Sequence, residues 1–528
     1  MISCSLRRLS PLVALTLALA AGCRGGARSG PARHTLIDSR DTYDPRSLDP
    51  ALSTDVPTGR AVGYIFEGLT RFSPEGQLQP ALATRWDVSP DGRTYTFHLR
   101  RGVKFQDGSP FGAHDVIQSF TRVLNPATHG GRAEPLFPIQ GARDVADGKA
   151  TTITGLSAPD DSTLVITLQQ PLAIFPKLLA MPVASIVPAS APADVSAHPV
   201  GTGPWKLAEW KHDDYLLFAR NPDYWDGAPR ADSLQARIIA EPSTAVAEFQ
   251  NGNVDVLQVP PADTRSWESD SSRRPLLMSV PALRLVYVAI NTTRGPLKDA
   301  RVRQAINLAV DTRTILGQIA SGRGHRAAGV IPPSLGGADT ARVPYAYDPA
   351  RAKQLLAQAG FPNGIDVELW TGTTPIYVRI AEALQGYLNA AGIRTKIVQR
   401  ESAAAREASR KGDTDMILKD WYADYPDAED FLDPLLSGAN AGVGGNVSFY
   451  RNAQFDGLMQ RALREQDEAK RNALYRQADS LAFADAPMLY LYFYDDLYAV
   501  QPWIQGFTPP AIYNGQRWTG VAFRAAKP

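Results

Sequence analysis

The chain has 528 residues, more than one hydrophobic core organises, so roughly two to four domains are expected. Basic and acidic side chains nearly cancel, 55 against 54, which leaves none of the basic excess that nucleic-acid binders carry. Apolar residues make up 44% of the chain, enough to bury proper cores, and no Gly/Pro run suggests disorder beyond the N-terminus.

Arg7 and Arg8 precede an apolar run from Leu9 to Ala21, too short to span a membrane and suited to a secretory signal. The run ends Leu19-Ala20-Ala21-Gly22-Cys23. Small residues before a cysteine resemble a lipobox, with Ala20 where Leu is commoner. Removal of residues 1–22 would leave the Cys23 thiol to carry a lipid; an ordinary signal peptide that contains a cysteine is the alternative. Cys4, the only other cysteine, falls in the removed part, so the mature chain has no disulfide and no thiolate metal site. Residues 23–33 read as a flexible tether.

The body alternates helical and strand patterns and predicts an α/β class. TYTFHL (94–99) places Tyr95, Phe97 and Leu99 on one face, after an SPDG turn at 89–92. A short strand is predicted at Val103 to Phe105, then a helix from Ala113 to Leu124 that Asn125-Pro126 stops. LVYVAIN (285–291) reads as a strand, and Asp299 as the cap of a helix carrying Val302, Ala305, Ile306, Ala309 and Val310. Asp348, Pro349 and Gly360 bracket another helix. Helices are also predicted over 377–391 and, as a pair, over 452–484, with TKIVQ (395–399) a strand between them.

DWYADYPDAEDFL (420–432) sets Asp420, Asp424, Asp427, Glu429 and Asp430 among Trp421, Tyr422, Tyr425 and Phe431. As a calcium loop it fails, because Pro426 interrupts and no Gly supplies the sharp turn. Asp427, Glu429 and Asp430 fit a helix N-terminal turn, where acids favour the dipole. Asp424, bracketed by tyrosines, is left over. No G-x-S-x-G, S-x-x-K, H-E-x-x-H or G-K-[ST] motif occurs, and the seven histidines share no metal-ligand spacing. His98 reads as a surface residue and the His114-Asp115 pair as helix capping. Neither a catalytic residue nor a metal or cofactor site is assigned.

VSPDGRTYTFHLRRGVKFQDGSPFGAHDVIQSFTRVLNP resembles the signature region of the oligopeptide- and dipeptide-binding solute receptors of bacterial ABC importers. The likeness continues in order through DPRSLDP (44–50), IFEGLTRF (65–72), GTGPWKLAEWK (201–211), ARNPDYWDGAP (219–229), FQNGNVDV (249–256) and VAINTTRGPLKDARVRQAINLAVD (288–311). AKQLLAQAGF (352–361) and DWYADYPDAEDFLDPLLS (420–437) complete it. The resemblance implies a periplasmic-binding-protein-like (type II) fold: two lobes around a hinge plus an extra small domain. Lobe I would be discontinuous, from 34–60, 196–284 and 496–528. The inserted domain would occupy 61–195 and lobe II 285–495, with strand crossings near 285 and 495 as the hinge.

By the same resemblance Asp424, in Trp421-Tyr422-Ala423-Asp424, holds the α-ammonium of a peptide, and Trp421 and Tyr422 add cation–π or apolar contact. Ligand backbone pairing is implied at Lys419 to Tyr422 on one lobe and at Tyr43, Asp44 and Pro45 on the other. Large hydrated pockets would then accept many side chains. Phe249 and Tyr287 match pocket-lining positions, although either can simply pack in a core. The chain departs from the relatives where a ligand carboxylate is bound: Leu418, Ile376 and Ser402 replace a basic residue, a His and a Trp. Lys419, Arg379 and Arg400 are the nearby cations. The implied partners are a peptide, ABC permease subunits and a membrane reached through a lipid on Cys23, for a monomeric protein of the periplasm. The alternatives are a non-peptide cargo on the same fold (nickel chelate, haem, sugar or an opine-like compound) and an exported hydrolase.

Overall fold

The computed structural model describes residues 35–442 and 445–524. The segment 1–22, Cys23 and the tether 23–33 lie outside the described residues. Among the described residues no helix is long and apolar enough to cross a membrane.

Strand β1 (Thr35–Asp41) is followed by a small antiparallel sheet of β2 (Ala83–Val88), β3 (Thr94–Leu99), β4 (Leu156–Asp160) and β5 (Thr163–Thr167), ordered β2-β3-β5-β4. The alternation of TYTFHL is obeyed, since Tyr95, Phe97 and Leu99 are buried. Helix α1 (Ala113–Leu124) adds Val116, Phe120, Val123 and Leu124 to the same core. Its Asp115 carboxylate accepts the Gly112 N–H at 2.9 Å, so the acid works as a cap and the neighbouring His114 stays exposed. Val103 to Phe105, expected as a strand, holds only one bridge, Lys104 to Pro110, between two turns. Gly102 and Gly108, at φ 75° and 91°, bend the chain on either side of it.

Apart from two small two-stranded sheets, the remaining strands join β1 in one eleven-stranded sheet: β6 (Trp205–Lys211), β7 (Tyr215–Arg220), β8 (Ser233–Ile238), β9 (Val256–Gln258), β10 (Leu277–Ile290), β11 (Ile365–Thr371), β12 (Ile393–Gln399), β13 (Met416–Tyr422) and β14 (Met488–Val500). Their order is β12-β11-β13-β10-β14-β9-β1-β8-β7-β6, and the short strand His325–Arg326 pairs with β14 off that path. Two long strands, β10 and β14, tie the halves together. They pair from Leu277 to Pro281 against Ala499 to Asp495, and from Leu285 to Ala289 against Phe493 to Met488. The ladder breaks between Pro281 and Leu285, where proline supplies no N–H.

Helices α2 (Ala300–Leu308), α3 (Pro349–Gln358), α4 (Pro375–Ala390), α5 (Ser402–Lys411), α6 (Glu429–Leu436), α7 (Ala453–Arg464) and α8 (Glu468–Asp485) belong to the second half. Asp299 and Asp348 cap α2 and α3 as their sequence predicts, each accepting a first-turn N–H at 2.8 Å. Helices α2, α3 and α4 bury their apolar stripes against β10 to β13 in one core.

Three of the segments quoted above are tied together in the structure. The buried Glu67 carboxylate of IFEGLTRF accepts from Thr202 Oγ1 (3.0 Å), Tyr224 OH (2.8 Å) and Trp225 Nε1 (2.7 Å), and lies 3.1 Å from the Arg517 guanidinium. GTGPW and NPDYWDG thus meet IFEGLTRF at one acid. A Cβ at Gly201 or Gly203 would stand 2.1 or 2.5 Å from the carbonyl oxygen of Ile65 or Tyr64, so only glycine lets these backbones touch.

The segment 61–195, expected as an insertion, does not pack on the first half alone. Phe97, Phe120 and Phe175 share a core with Ile417, Phe431 and Tyr475 of the second half. Lys177 Nζ donates to the Pro426 carbonyl (2.9 Å) and pairs with Asp427 (2.6 Å) across the same boundary. A helix spanning Val56–Ile65 runs through position 60/61, the edge expected for the insertion.

Candidate ligand-binding site

Strand β13 ends at Tyr422, and the chain then turns into α6. Two backbone bonds fix that turn: the Ala423 N–H donates to the Leu283 carbonyl and the Asp424 N–H to Asp430 Oδ2, both at 2.8 Å. The Asp424 carboxylate accepts a two-pronged grip from Arg132 of the inserted segment, Nη1 to Oδ1 at 2.9 Å and Nη2 to Oδ2 at 2.5 Å. This hydrogen bonding, with the Asp424 charge adding to it, raises the Arg132 pKa against the opposing effect of burial.

Asp424 and Arg132 both line a cavity of about 1010 Å³. One wall is β13 (Leu418, Lys419, Asp420, Trp421) with the start of α4, α5 and α6; the other comes from the inserted segment, including Glu134, Leu172, Ile174 and Met181. The volume lies at the upper end of the usual range for ligand sites, ~300–1,000 Å³. The β13 edge at the cavity is open. Strand β11 pairs with it only at Leu369–Met416 and Trp370–Ile417, then leaves through Gly372, which also lines the cavity. From Leu418 to Tyr422, β13 has β10 on one side and, among the described residues, no strand on the other. An open edge offers backbone donors and acceptors to any extended chain that reaches it.

The charges fall into two groups. At the α6 end, Asp427 is paired with Lys177, Tyr425 OH donates to Glu429, and Asp430 accepts the Asp424 N–H. Burial, and after it neighbouring acids, hold the Glu429 and Asp430 pKa values well above the ordinary carboxylate range. Along β13, Asp420 pairs with Arg284 at 2.8 Å, and Arg284 also donates to Tyr377 OH at 2.9 Å. Lys419, Arg406 and Arg410 line the cavity without an ion pair among the described residues. Burial, and then Arg410 and Arg406 against an opposing Asp420, lower the Lys419 pKa to about 8. The charged groups of a partly apolar cavity are therefore acidic towards α6 and cationic towards α5.

The sequence-named residues divide. Asp424, Lys419 and Trp421 line this cavity, as do Leu418, Ile376 and Ser402. Ala423 is buried behind it. Tyr422, at the end of the strand, does not line it, and its ring lies 6.4 Å from that of Tyr513. Phe249 is 2% exposed in a core against Trp267, and Tyr287 is fully buried in mid-sheet; neither reaches the cavity. Tyr43 is exposed and Asp44 accepts from Trp210 Nε1 (2.9 Å) and His212 Nδ1 (2.6 Å) of its own half, so 43–45 do not form the facing wall. Arg379 is exposed outside the cavity, and Arg400 lies over the Trp370 ring at 5.8 Å. The sequence reading missed Arg132, Glu134, Arg406 and Arg410. The last two stand four residues apart on α5, so their shared face was readable, but nothing local said what it faced.

Among the described residues no group of three or more His, Cys, Asp or Glu side chains is placed to hold a metal ion. Residues 77–443 match the family described as bacterial extracellular solute-binding proteins, family 5 Middle. The chain is 30% identical to heme-binding protein A of Haemophilus influenzae, covering 90% of this chain and 92% of that protein. It is 31% identical to the dipeptide-binding protein of Escherichia coli, covering 84% and 86%. Among solved structures it resembles the ABC transporter-associated periplasmic binding protein DppA of Helicobacter pylori, in complex with the peptide STSA. That likeness has a TM-score of 0.76 at 30% identity and covers 93% of this chain and 98% of the other. A match over most of the sequence, joined to the same α/β architecture, gives the conclusion that this chain belongs to the bacterial extracellular solute-binding proteins of family 5.

Proposed function

We propose that this protein captures peptides in the cavity beside β13 and delivers them to the permease of an ABC importer. The observation that carries the reading is Asp424 facing a cavity of about 1010 Å³ next to an open strand edge. Asp424 receives the peptide α-ammonium. At contact distance and an effective dielectric near 20, such a pair is worth about 4 kcal/mol before desolvation. The Leu418-to-Tyr422 edge takes the ligand backbone, which gives affinity without reading side chains. Lys419, with Arg406 and Arg410, takes the ligand carboxylate in place of the absent basic residue at 418.

The segments 34–60, 196–284 and 496–528 act as one lobe, 285–495 as the other, and 61–195 as an inserted domain that supplies the wall carrying Arg132. The broken β10–β14 ladder at Pro281 to Leu285 is the hinge about which the lobes close. Cys23 carries the lipid that tethers a monomeric receptor in the periplasm. The protein performs no chemistry on its cargo. One observation favours a second cargo: three cations without an acid partner at one end also suit a non-peptide solute bearing two acid groups.

Thermal shift of the purified protein tests the proposal. A ligand at one hundred times its dissociation constant adds about 2.7 kcal/mol of stability. Free-amine peptides are expected to raise the melting temperature well above what their N-acetylated forms do, and Asp424→Asn to abolish that difference. An Asp424→Asn protein that keeps the full preference for a free amine would refute the amine seat. Hydrolysis of the peptide during incubation would point to an enzyme instead.

A further inference from the structure

The Asp424 carboxylate is already held by a cation of this chain. Arg132 is 292 positions away in sequence and comes from the opposite wall, yet its guanidinium meets Asp424 with both terminal nitrogens. The pair is half-buried, at 33% and 23% side-chain exposure, and belongs to the cavity wall rather than to a core. Two more features bear on how firmly Arg132 is committed. Gly130 and Gly131 precede it, in a stretch without helix or strand. Glu134, two residues on, lines the same cavity and has no ion pair among the described residues.

We propose that Arg132 is an internal occupant of the amine seat and a specificity-determining residue: it fills Asp424 when no cationic ligand is present, and an arriving ammonium displaces it towards Glu134. This rests on the reading of Asp424 as the amine seat. The exchange is cation for cation, so the half-buried carboxylate is never left uncompensated, which is the condition that makes loss of one partner costly. A ligand with a free amine takes over a paired site. A ligand whose end is acylated offers no replacement charge and leaves Arg132 in place. Arg132 thus lowers the affinity for a free amine by the cost of its own displacement and does not act on acylated ligands, which sets how strongly the two are told apart.

Isothermal titration of the whole protein with trialanine and N-acetyl-trialanine tests this, using wild type, Arg132→Gln and Asp424→Asn. Arg132→Gln is expected to bind trialanine about tenfold tighter, the scale of one hydrogen-bonded charge pair removed from competition, with no gain for the acetylated peptide. Equal or weaker trialanine binding by Arg132→Gln, while Asp424→Asn still loses discrimination, overturns this inference and leaves the amine seat intact. Full discrimination by Asp424→Asn removes both. A second readout does not depend on a variant's folding for its sign. The Arg132 Nε–H resonance of wild type, identified by its loss in Arg132→Gln or by sequential assignment, should shift with trialanine and stay in place with the acetylated form. An unmoved resonance at saturating trialanine also overturns the inference.

Discussion

Replacing Lys419 with methionine removes a charge that the fold holds against its own stability. Lys419 sits on β13 at the cavity, with Arg410 and Arg406 nearby and Asp420 as the only compensating neighbour acting on it. Its pKa drops from the usual 10.5 to about 8, chiefly through burial and then through Arg410. At about 1.36 kcal/mol per pKa step, that gap corresponds to roughly 3 kcal/mol against the charged form. Lys419 keeps some contact with water, so screening reduces the expected effect to about 1–2 kcal/mol. The sign follows from linkage. Below pH 8 the lysine is charged in both the folded and the unfolded chain, and the penalty is fully present. Between about pH 8 and 10.4 the unfolded chain binds more protons, so wild-type stability recovers as pH rises. Urea denaturation at pH 7 should find Lys419→Met more stable by about 1–2 kcal/mol, and the advantage should close towards pH 10. Titration with a free-acid peptide should show weaker binding by the variant, and wild-type affinity should fall as pH rises above about 8. Equal stability at pH 7 with no pH-dependent gap would refute the account of a destabilising, functionally retained lysine.

Glu67→Ala strands the hydroxyls of Thr202 and Tyr224, the Trp225 indole N–H and the Arg517 guanidinium in a buried site. A loss of about 3–5 kcal/mol is expected, read as a fall in melting temperature; an unchanged melting temperature would show that the shared acid does not hold these segments together. Glu429→Gln should act the other way. Burial, then Asp433 and Asp427, raise the Glu429 pKa, so the folded chain keeps a proton that the unfolded chain releases above about pH 4.3. Wild-type stability therefore falls as pH rises from there, and the isosteric amide should gain in relative stability from pH 5 to pH 8. Parallel stability–pH curves for the two proteins would contradict this.

Strands β10 and β14 show how far local pattern reached. LVYVAIN read correctly as a strand, but its start did not, because Leu277 to Pro281 carries too little alternation to announce a strand and is held by β14. Val103 to Phe105 had a strand's composition but kept only one bridge, since turns at flanking glycines with positive φ cut it short. The helices fared best: Asp299, Asp348 and the stop at Asn125-Pro126 act within a turn of their own position, where distant residues have little say. At the site, Phe249 and Tyr287 illustrate the limit. An aromatic beside a turn or in an apolar strand looks the same whether it faces a ligand or a core, and packing put both in cores.

By itself the sequence determined the α/β class, the capped helices and Asp424 as the acid left over from a helix start. These follow from short-range sterics, capping and charge, which need only neighbouring residues. Tertiary structure alone decided that Asp424 meets Arg132, that Arg406 and Arg410 look across at Lys419, and that the inserted segment, not residues 43–45, walls the cavity. The Asp424–Arg132 pair spans 292 positions and Arg406 and Arg410 reach Lys419 from a separate helix; only the burial of apolar faces between separate elements brings such groups within reach of one another.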